Sequence, residues 1–251
     1  MMRNIRLMLG LGMAVLTLSV AYGQGMYWES VQSKGDQGEM KSTAMSYAMP
    51  KMFKQVDAAE GRAVILRLDK EMMYALDMNK KTYQQMTFAE LEAMVKQATG
   101  MMEEKLKALP PEQRKMMEER MGGMFGSGKP PVMDVNAAGE KKTINGFSCS
   151  KYVVKKDGKD DQIVWATKDV KEFDAMRKDW LEFTKRMQSM SPRAAGMAEA
   201  FKKIEGFPIQ QEMGSMKTTV TKVEKRTIPA KEFEVPAGYT REESPKMGKE
   251  N

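Results

Sequence analysis

The sequence contains no histidine and only one cysteine, Cys149, among its 251 residues. Because histidine is the commonest general base and zinc ligand, its absence excludes histidine-based catalytic triads and histidine-ligated metal sites. A single cysteine also excludes an intramolecular disulfide. We expect Cys149 to be a buried, inert thiol. Only an enzyme that uses carboxylates, lysine or Cys149 fits this composition, and we predict that the protein is not an enzyme.

The sequence also lacks an apolar run of the roughly 20 residues that span a bilayer. The apolar stretch from Leu7 to Val20 follows two arginines and precedes Ala21-Tyr22-Gly23. This order is typical of a secretory signal, so we predict that residues 1–23 form a signal peptide cleaved after Gly23. No cysteine lies near the cleavage site, and we expect no lipid anchor. The predicted location is periplasmic or secreted, with no transmembrane segment after signal removal.

Positive charge is not concentrated in any part of the sequence. The chain has 41 lysines and arginines against 34 acidic residues, a formal net charge of +7. Lysine and glutamate alternate through Lys96–Arg120 and Lys168–Arg186, as they do on solvated helix faces. Nucleic-acid binding needs a basic stripe with interleaved aromatic residues, so we expect no nucleic-acid partner.

The sequence does contain long stretches with a period of two. Residues 26–86 alternate in the manner of antiparallel strands, with Glu39–Met52 predicted as a single strand. The period becomes helical at Thr87-Phe-Ala-Glu90, which is a capping box. Strands resume in Val132–Val135 and Lys141–Ile144, and the last predicted strand is Phe233–Tyr239. A second helical segment is predicted to begin at the cap Asp169-Val-Lys-Glu172. Its predicted apolar stripe consists of Phe173, Met176, Trp180, Phe183 and Met187.

These patterns predict an α+β fold. We expect a curved antiparallel sheet of about ten strands, an incomplete barrel, covered on one face by three or four inserted helices. The helical insertions are predicted near 88–125 and 170–205. Residues 24–241 are expected to form one exported domain, and residues 242–251 a disordered tail.

Several stretches resemble an exported bacterial family known as domain of unknown function 4412. They are Val64-Ile-Leu-Arg-Leu-Asp69 with Met72-Met-Tyr-Ala-Leu76 and Lys81-Thr-Tyr83, Asn145-Gly-Phe-Ser-Cys-Ser-Lys-Tyr152, Gly206-Phe-Pro208 and Phe233-Glu-Val-Pro-Ala-Gly-Tyr239. The resemblance implies a methionine-rich exported domain related in shape to the LolA-like periplasmic lipoprotein carriers. In those carriers an incomplete barrel and a helical lid enclose an apolar cavity. The resemblance implies no catalytic residues.

Methionine is the most unusual feature of the composition, with 28 residues in the whole chain. Because the thioether side chain is flexible and polarizable, these residues could be core filler or could line an adaptable binding surface. A third alternative is a soft-metal site for Cu(I). Its candidate ligands are Met116, Met117, Met121 and Met124, with a second cluster at Met45, Met49 and Met52.

The tryptophans Trp28, Trp165 and Trp180 are expected to pack in the core rather than form a binding platform. Together with the predicted fold, these observations indicate an exported, non-catalytic binding protein. Its expected ligand is apolar or lipid-like and lies in a cavity between the sheet and the helices. We expect no cofactor. The alternative function is copper handling by methionine thioethers in the periplasm.

Overall fold

The computed structural model describes residues 22–34, 39–114, 116, 132–188 and 201–243. Residues 1–21 of the predicted signal and residues 244–251 of the predicted tail therefore lie outside the described residues. The first strand begins at Tyr22, so a cut after Gly23 would remove its first two residues. At the other end, the Glu242 backbone N–H donates to the Tyr83 carbonyl at 2.8 Å. The predicted tail is thus bonded to the sheet at its first residue.

The described residues form twelve strands and two long helices. The strands are β1 (Tyr22–Lys34), β2 (Glu39–Met49), β3 (Met52–Asp57), β4 (Arg62–Arg67), β5 (Met72–Asp77), β6 (Thr82–Thr87), β7 (Met133–Ile144), β8 (Phe147–Lys156), β9 (Lys159–Thr167), β10 (Phe207–Met213), β11 (Met216–Pro229) and β12 (Thr240–Arg241). The helices are α1 (Phe88–Lys107) and α2 (Glu172–Gln188), and a 3₁₀ turn spans Ala230–Phe233. Residues 111–114, 116 and 201–203 are also helical. Within these ranges no helix is both long and apolar enough to cross a bilayer.

All twelve strands belong to one open sheet in the order β12-β6-β5-β4-β3-β2-β1-β11-β10-β9-β8-β7. Neighbouring strands are antiparallel except β12, which runs parallel to β6. The first six strands form one meander and β7 to β11 form a second, and β1 pairs with β11 to join them. The predicted α+β class and antiparallel sheet are confirmed.

The predicted number of about ten strands is wrong, because the structure has twelve. Residues Glu39–Met52 were expected as one strand, but Pro50 and Lys51 form a tight turn, with Lys51 at φ 60°. The chain then returns as β3, which the sequence analysis missed. Conversely, Val132–Val135 and Lys141–Ile144 were expected as separate strands, and they join in β7 through an irregularity between Ala137 and Lys141.

The predicted strand Phe233–Tyr239 is also absent from the described structure. Phe233 instead ends the 3₁₀ turn, and pairing with the sheet begins only at Thr240. Pro236 has no N–H to donate to a ladder, and Gly238 adopts a left-handed φ of 83°. These two residues explain why the segment does not continue as a strand.

Both long helices begin close to the predicted positions. Thr87 caps α1, since its Oγ1 accepts from the Glu90 N–H at 3.0 Å and the Glu90 carboxylate accepts from the Thr87 N–H at 2.7 Å. The predicted capping box is therefore confirmed. The predicted cap Asp169 instead accepts a hydrogen bond from the Ser148 N–H at 3.2 Å, and α2 begins at Glu172.

The sheet is strongly curved in its second half. The Lys142 ammonium of β7 donates to Gln210 Oε1 of β10 at 2.9 Å, although two strands lie between them in the sheet. In a flat sheet these strands would be roughly 14 Å apart, at about 4.8 Å per strand. The Asn145 side chain at the β7–β8 turn likewise donates to the Val220 carbonyl of β11 at 2.7 Å. The sheet must therefore curl toward β11.

The two faces of the sheet are covered by different parts of the chain. In β3, Phe53 contacts Trp180 of α2 with ring centroids 5.7 Å apart. Lys54, on the opposite face, pairs with Glu232 of the 3₁₀ turn at 3.1 Å. Phe233 is fully buried on this second face, in a cluster around Ile65, Ile228 and Leu76. Helices thus lie over one face, and the C-terminal segment lies over the other.

Candidate functional site

A groove of about 320 Å³ lies between the helix-covered face of the sheet and α2. Its floor comes from β1, β2, β3, β10 and β11, and its wall from α2 and Phe201. The alternation of side chains along a strand places every second residue in the floor. In β1 these residues are Met26, Trp28 and Ser30. The meeting of the two meanders at β1 and β11 is therefore what creates the groove.

Six aromatic side chains form a closed ring around this groove. Successive ring centroids are 5.8, 5.7, 6.5, 6.0, 5.1 and 5.6 Å apart, which are usual distances for aromatic pairs. In order around the ring, the residues are Trp28, Phe53, Trp180, Phe201, Phe173 and Phe207. All six line the groove. We call this set the aromatic ring.

Methionine side chains complete the apolar lining. Met26, Met49, Met52 and Met176 all line the groove, and Met26 is only 1% exposed. Met176 is one helical turn from Trp180 on α2, so the two side chains share a face. Because thioethers can change rotamer at little cost, these four residues make the groove wall adaptable.

The charged side chains that line the groove are Lys51 and Asp179. They lie close together, because the Lys51 backbone N–H donates to the Asp179 carboxylate at 2.8 Å. This bond also ties the β2–β3 turn to α2. Ser46 lies in the floor and is 1% exposed. The groove is therefore apolar inside, with opposite charges near one end.

A second groove, also of about 320 Å³, adjoins the first along the same face of the sheet. Ser30, Gln55 and Thr218 line both grooves, so the two are continuous. Polar residues dominate the lining of the second groove. Its other lining residues are Gln32, Ser42, Ala44, Asp57, Arg62, Ala63 and Val64. We call it the polar groove.

Of the predicted copper ligands in the described residues, Met49 and Met52 line the groove, and Met45 and Met116 do not. Met116 is 59% exposed, and Met117, Met121 and Met124 lie outside the described residues. Of the second cluster, Met49 and Met52 pair across the β2–β3 turn, and Met45 lies further along β2. All three pack in the apolar cluster around Ile228 and Phe233. In the part of the chain that the structure describes, no three His, Cys, Asp or Glu side chains gather as metal ligands.

Cys149 is fully buried, as the sequence analysis predicted. Burial raises the pKa of its thiol, and the nearby negative charge of Asp169 raises it further. A raised pKa keeps the thiol protonated and therefore poorly nucleophilic at neutral pH. Cys149 does not line either groove.

Most of the aromatic ring was not predicted from the sequence. Trp28 and Trp180 were expected in the core, and no strand was expected at β3, which carries Phe53. The available indication was Pro50, which has no N–H to donate to a ladder and therefore argues against one continuous strand over Glu39–Met52. The contacts of Phe53 with Trp28 and with Trp180 join distant parts of the chain, and a periodic pattern does not report such contacts.

Comparison with known proteins identifies a family match for the second meander. The family model described as "Domain of unknown function (DUF4412)" matches residues 130–239. The resemblance to this family is therefore confirmed over these residues, which include β7 to β11 and α2. The matched part supplies four members of the aromatic ring, and the first meander supplies Trp28 and Phe53. No curated protein matches the sequence.

Two solved structures, described as structures of PNGF-II in the C2 and P21 space groups, are similar to this chain. In both, the alignment covers 88% of this chain with a TM-score of 0.41 and 10% sequence identity. It covers 31% and 32% of those chains. The chain thus spans about a third of the length of the PNGF-II chains that it matches.

Proposed function

We propose that this protein is a non-catalytic binding protein that holds an apolar or amphiphilic, lipid-like ligand in the groove between the sheet and α2. The observation that carries this proposal is the closed aromatic ring around a groove of about 320 Å³. Ligand pockets typically start near about 300 Å³ and are lined mainly by apolar and aromatic side chains. The groove has both properties.

The groove can supply affinity through the hydrophobic effect. Each methylene group that moves from water into an apolar site gains about 0.8 kcal/mol. The aromatic ring and the four groove methionines would cover an acyl chain along most of the groove. The opposite charges of Lys51 and Asp179 near one end give the lining no net charge. Such a site suits binding of an apolar chain better than acid–base catalysis.

We also propose that the protein is exported and works in the periplasm or outside the cell. The N-terminal order of two arginines, an apolar run and a small-residue site supports export to the periplasm or beyond. The open, curved sheet with an apolar groove beneath a helix supports the finer likeness to the LolA-like lipoprotein carriers. In that comparison α2 takes the place of the helical lid.

Replacing Phe53 tests whether the groove is the binding site. Phe53 lines the groove and contacts both Trp28 and Trp180. Losing a buried phenylalanine contact removes about 1.5–3 kcal/mol, so we expect Phe53→Ala to weaken dodecanoate binding about tenfold or more. Isothermal titration calorimetry of the full chain, with dodecanoate kept below its micelle concentration, measures this affinity.

Phe183 provides a matched control for this test. It contacts Trp180 and Phe88 but does not line the groove. We therefore expect Phe183→Ala to lower thermal stability while leaving the dodecanoate Kd within about twofold of wild type. Equal weakening by both variants would place the binding site elsewhere. A wild-type protein that binds neither dodecanoate nor an uncharged amphiphile with the same chain length would contradict the proposal.

A further inference from the structure

The polar groove continues the apolar groove in the direction of β3. Along this strand, the floor changes from Phe53 through Gln55 to Asp57, all on one face. The distance from Met52 to Asp57 is roughly 17 Å at about 3.3 Å per residue. The two grooves together form one channel, with the aromatic ring in one part and the polar side chains in the other.

The floor of the polar groove contains a row of neutral polar side chains on adjacent strands. Ser42 of β2 lies opposite Gln32 of β1, and Gln32 lies opposite Thr218 of β11. Ser30 and Gln55 lie on the same face, at the junction with the apolar groove. Among the described residues, none of these five side chains forms a hydrogen bond with another part of the chain. Their donors and acceptors are therefore available to a ligand.

The two charged side chains at the far end of the polar groove are of opposite sign. Asp57 and Arg62 lie opposite each other on β3 and β4. The Asp57 carboxylate accepts from the Glu60 N–H at 3.0 Å, and the Arg62 guanidinium pairs with the Glu60 carboxylate at 3.2 Å. The Arg62 side chain is 73% exposed, so it projects mainly into solvent. The described lining of the polar groove thus offers hydrogen bonds and carries no net charge.

We infer that the ligand is an amphiphile whose polar head is uncharged and rich in hydroxyl or amide groups, as in a sugar head group. The apolar chain lies within the aromatic ring, and the head lies in the polar groove on Ser30, Gln32, Ser42, Gln55 and Thr218. This inference rests on the proposed function and specifies its ligand class. Hydroxyl and amide side chains both donate and accept, which matches a head group of the same chemistry. A charged head would lose hydration among these five neutral side chains, none of which can serve as its counter-ion.

Three amphiphiles that share a dodecyl chain test this inference. They are dodecyl maltoside, dodecanoate and dodecyltrimethylammonium, each titrated into the full chain below its micelle concentration. We expect dodecyl maltoside to bind about tenfold more tightly than the two charged amphiphiles, because its sugar head can form several more hydrogen bonds with the polar groove than the charged heads can. In Ser42→Ala and in Gln32→Leu, which change residues that line only the polar groove, we expect the maltoside Kd to rise about threefold to tenfold, with an unchanged dodecanoate Kd.

Gln84 of β6 lines neither groove, so Gln84→Leu is the matched control for Gln32→Leu. We expect it to leave all three affinities unchanged. If the three amphiphiles bind equally, or a charged one binds most tightly, the inference is wrong while the proposed function stands. If none of them binds, the proposed function itself is wrong. Retained dodecanoate binding shows that a variant has folded, so loss of the maltoside preference alone reports on the head-group site.

Discussion

Gly206 occupies a backbone position that no other residue can take without disturbing its neighbours. It has a φ of 93°, in the left-handed region that favours glycine. A Cβ built at this position would also overlap the carbonyl group of Thr167 at the end of β9. Gly206 precedes Phe207 of the aromatic ring, so this close approach helps to position the groove wall.

Comparing alanine substitutions at Gly206 and Gly158 separates the effect of this close approach on stability from the effect of backbone strain. Gly158 also has a left-handed φ, 80°, but a Cβ there would meet no atom within 4 Å. We expect Gly158→Ala to lower the free energy of unfolding by about 1–2 kcal/mol through backbone strain alone, and Gly206→Ala to lower it by clearly more. Urea unfolding of the two variants measures the difference. Equal losses would mean that Thr167 moves away freely.

The Arg67–Asp69 pair holds the C-terminal segment on the sheet. The Arg67 side chain is largely buried and donates two hydrogen bonds to the Asp69 carboxylate, at 2.8 and 2.6 Å. It donates a third to the Phe233 carbonyl at 3.3 Å. The hydrogen bonds from Arg67 lower the pKa of Asp69. A lowered pKa means that the folded state favours the ionised carboxylate.

This pair predicts how stability changes with pH. Because the folded-state pKa of Asp69 is lowered, its contribution is complete at neutral pH and is lost as the pH falls from about 4 downward. We expect Asp69→Asn to reduce the free energy of unfolding by about 2 kcal/mol at neutral pH, and by progressively less in acid. Urea unfolding at several pH values measures both. A constant difference between wild type and variant at all pH values would contradict this assignment.

Some residue-level features could be predicted from the sequence, and others could not. The capping box at Thr87 and the burial of Cys149 follow from local sequence, and the structure confirms both. The contacts of Gly206 with Thr167 and of Arg67 with Phe233 join residues far apart in the chain. Sequence patterns that extend over a few residues contain no information about such contacts.

At the scale of elements, α2 forms one wall of the groove. The sequence predicted an apolar stripe of Phe173, Met176, Trp180, Phe183 and Met187 on this helix. The structure divides the stripe, because Phe173, Met176 and Trp180 face the groove, whereas Phe183 contacts Phe88 at the start of α1. The 3.6-residue period predicted that these apolar residues share one face of the helix. It could not predict which part of the protein each side chain contacts.

The capping box that begins α1 should contribute measurably to stability. Its two hydrogen bonds satisfy N–H groups that have no partner within the helix. We expect Thr87→Ala to reduce the free energy of unfolding by about 1 kcal/mol in urea unfolding. Thr99→Ala is the control, since Thr99 lies inside α1 and its hydroxyl donates only to the Val95 carbonyl. If Thr99→Ala lowers the free energy of unfolding as much as Thr87→Ala does, the capping box does not stabilise the protein as predicted.

At the scale of the whole molecule, the fold class and a cavity between the sheet and the helices were predicted from the sequence, but the residues that line the groove were not. Alternating patterns and turn residues predicted the α+β class and the antiparallel meanders. The pairing of β1 with β11 joins residues about 200 positions apart, such as Tyr22 with Pro229. No local pattern predicts that pairing, and it brings Trp28 beside Phe207 to close the aromatic ring. The binding site is therefore a product of topology.

Native mass spectrometry of the full chain, expressed in and purified from a bacterial host, tests the central claim most directly. We predict that the spectrum contains an additional lipid-sized mass, which is diminished in Phe53→Ala and retained in Phe183→Ala. Added Cu(I) should not change the amount of this bound mass. A bare polypeptide in every sample, or stoichiometric copper uptake without any lipid-sized mass, would contradict the account.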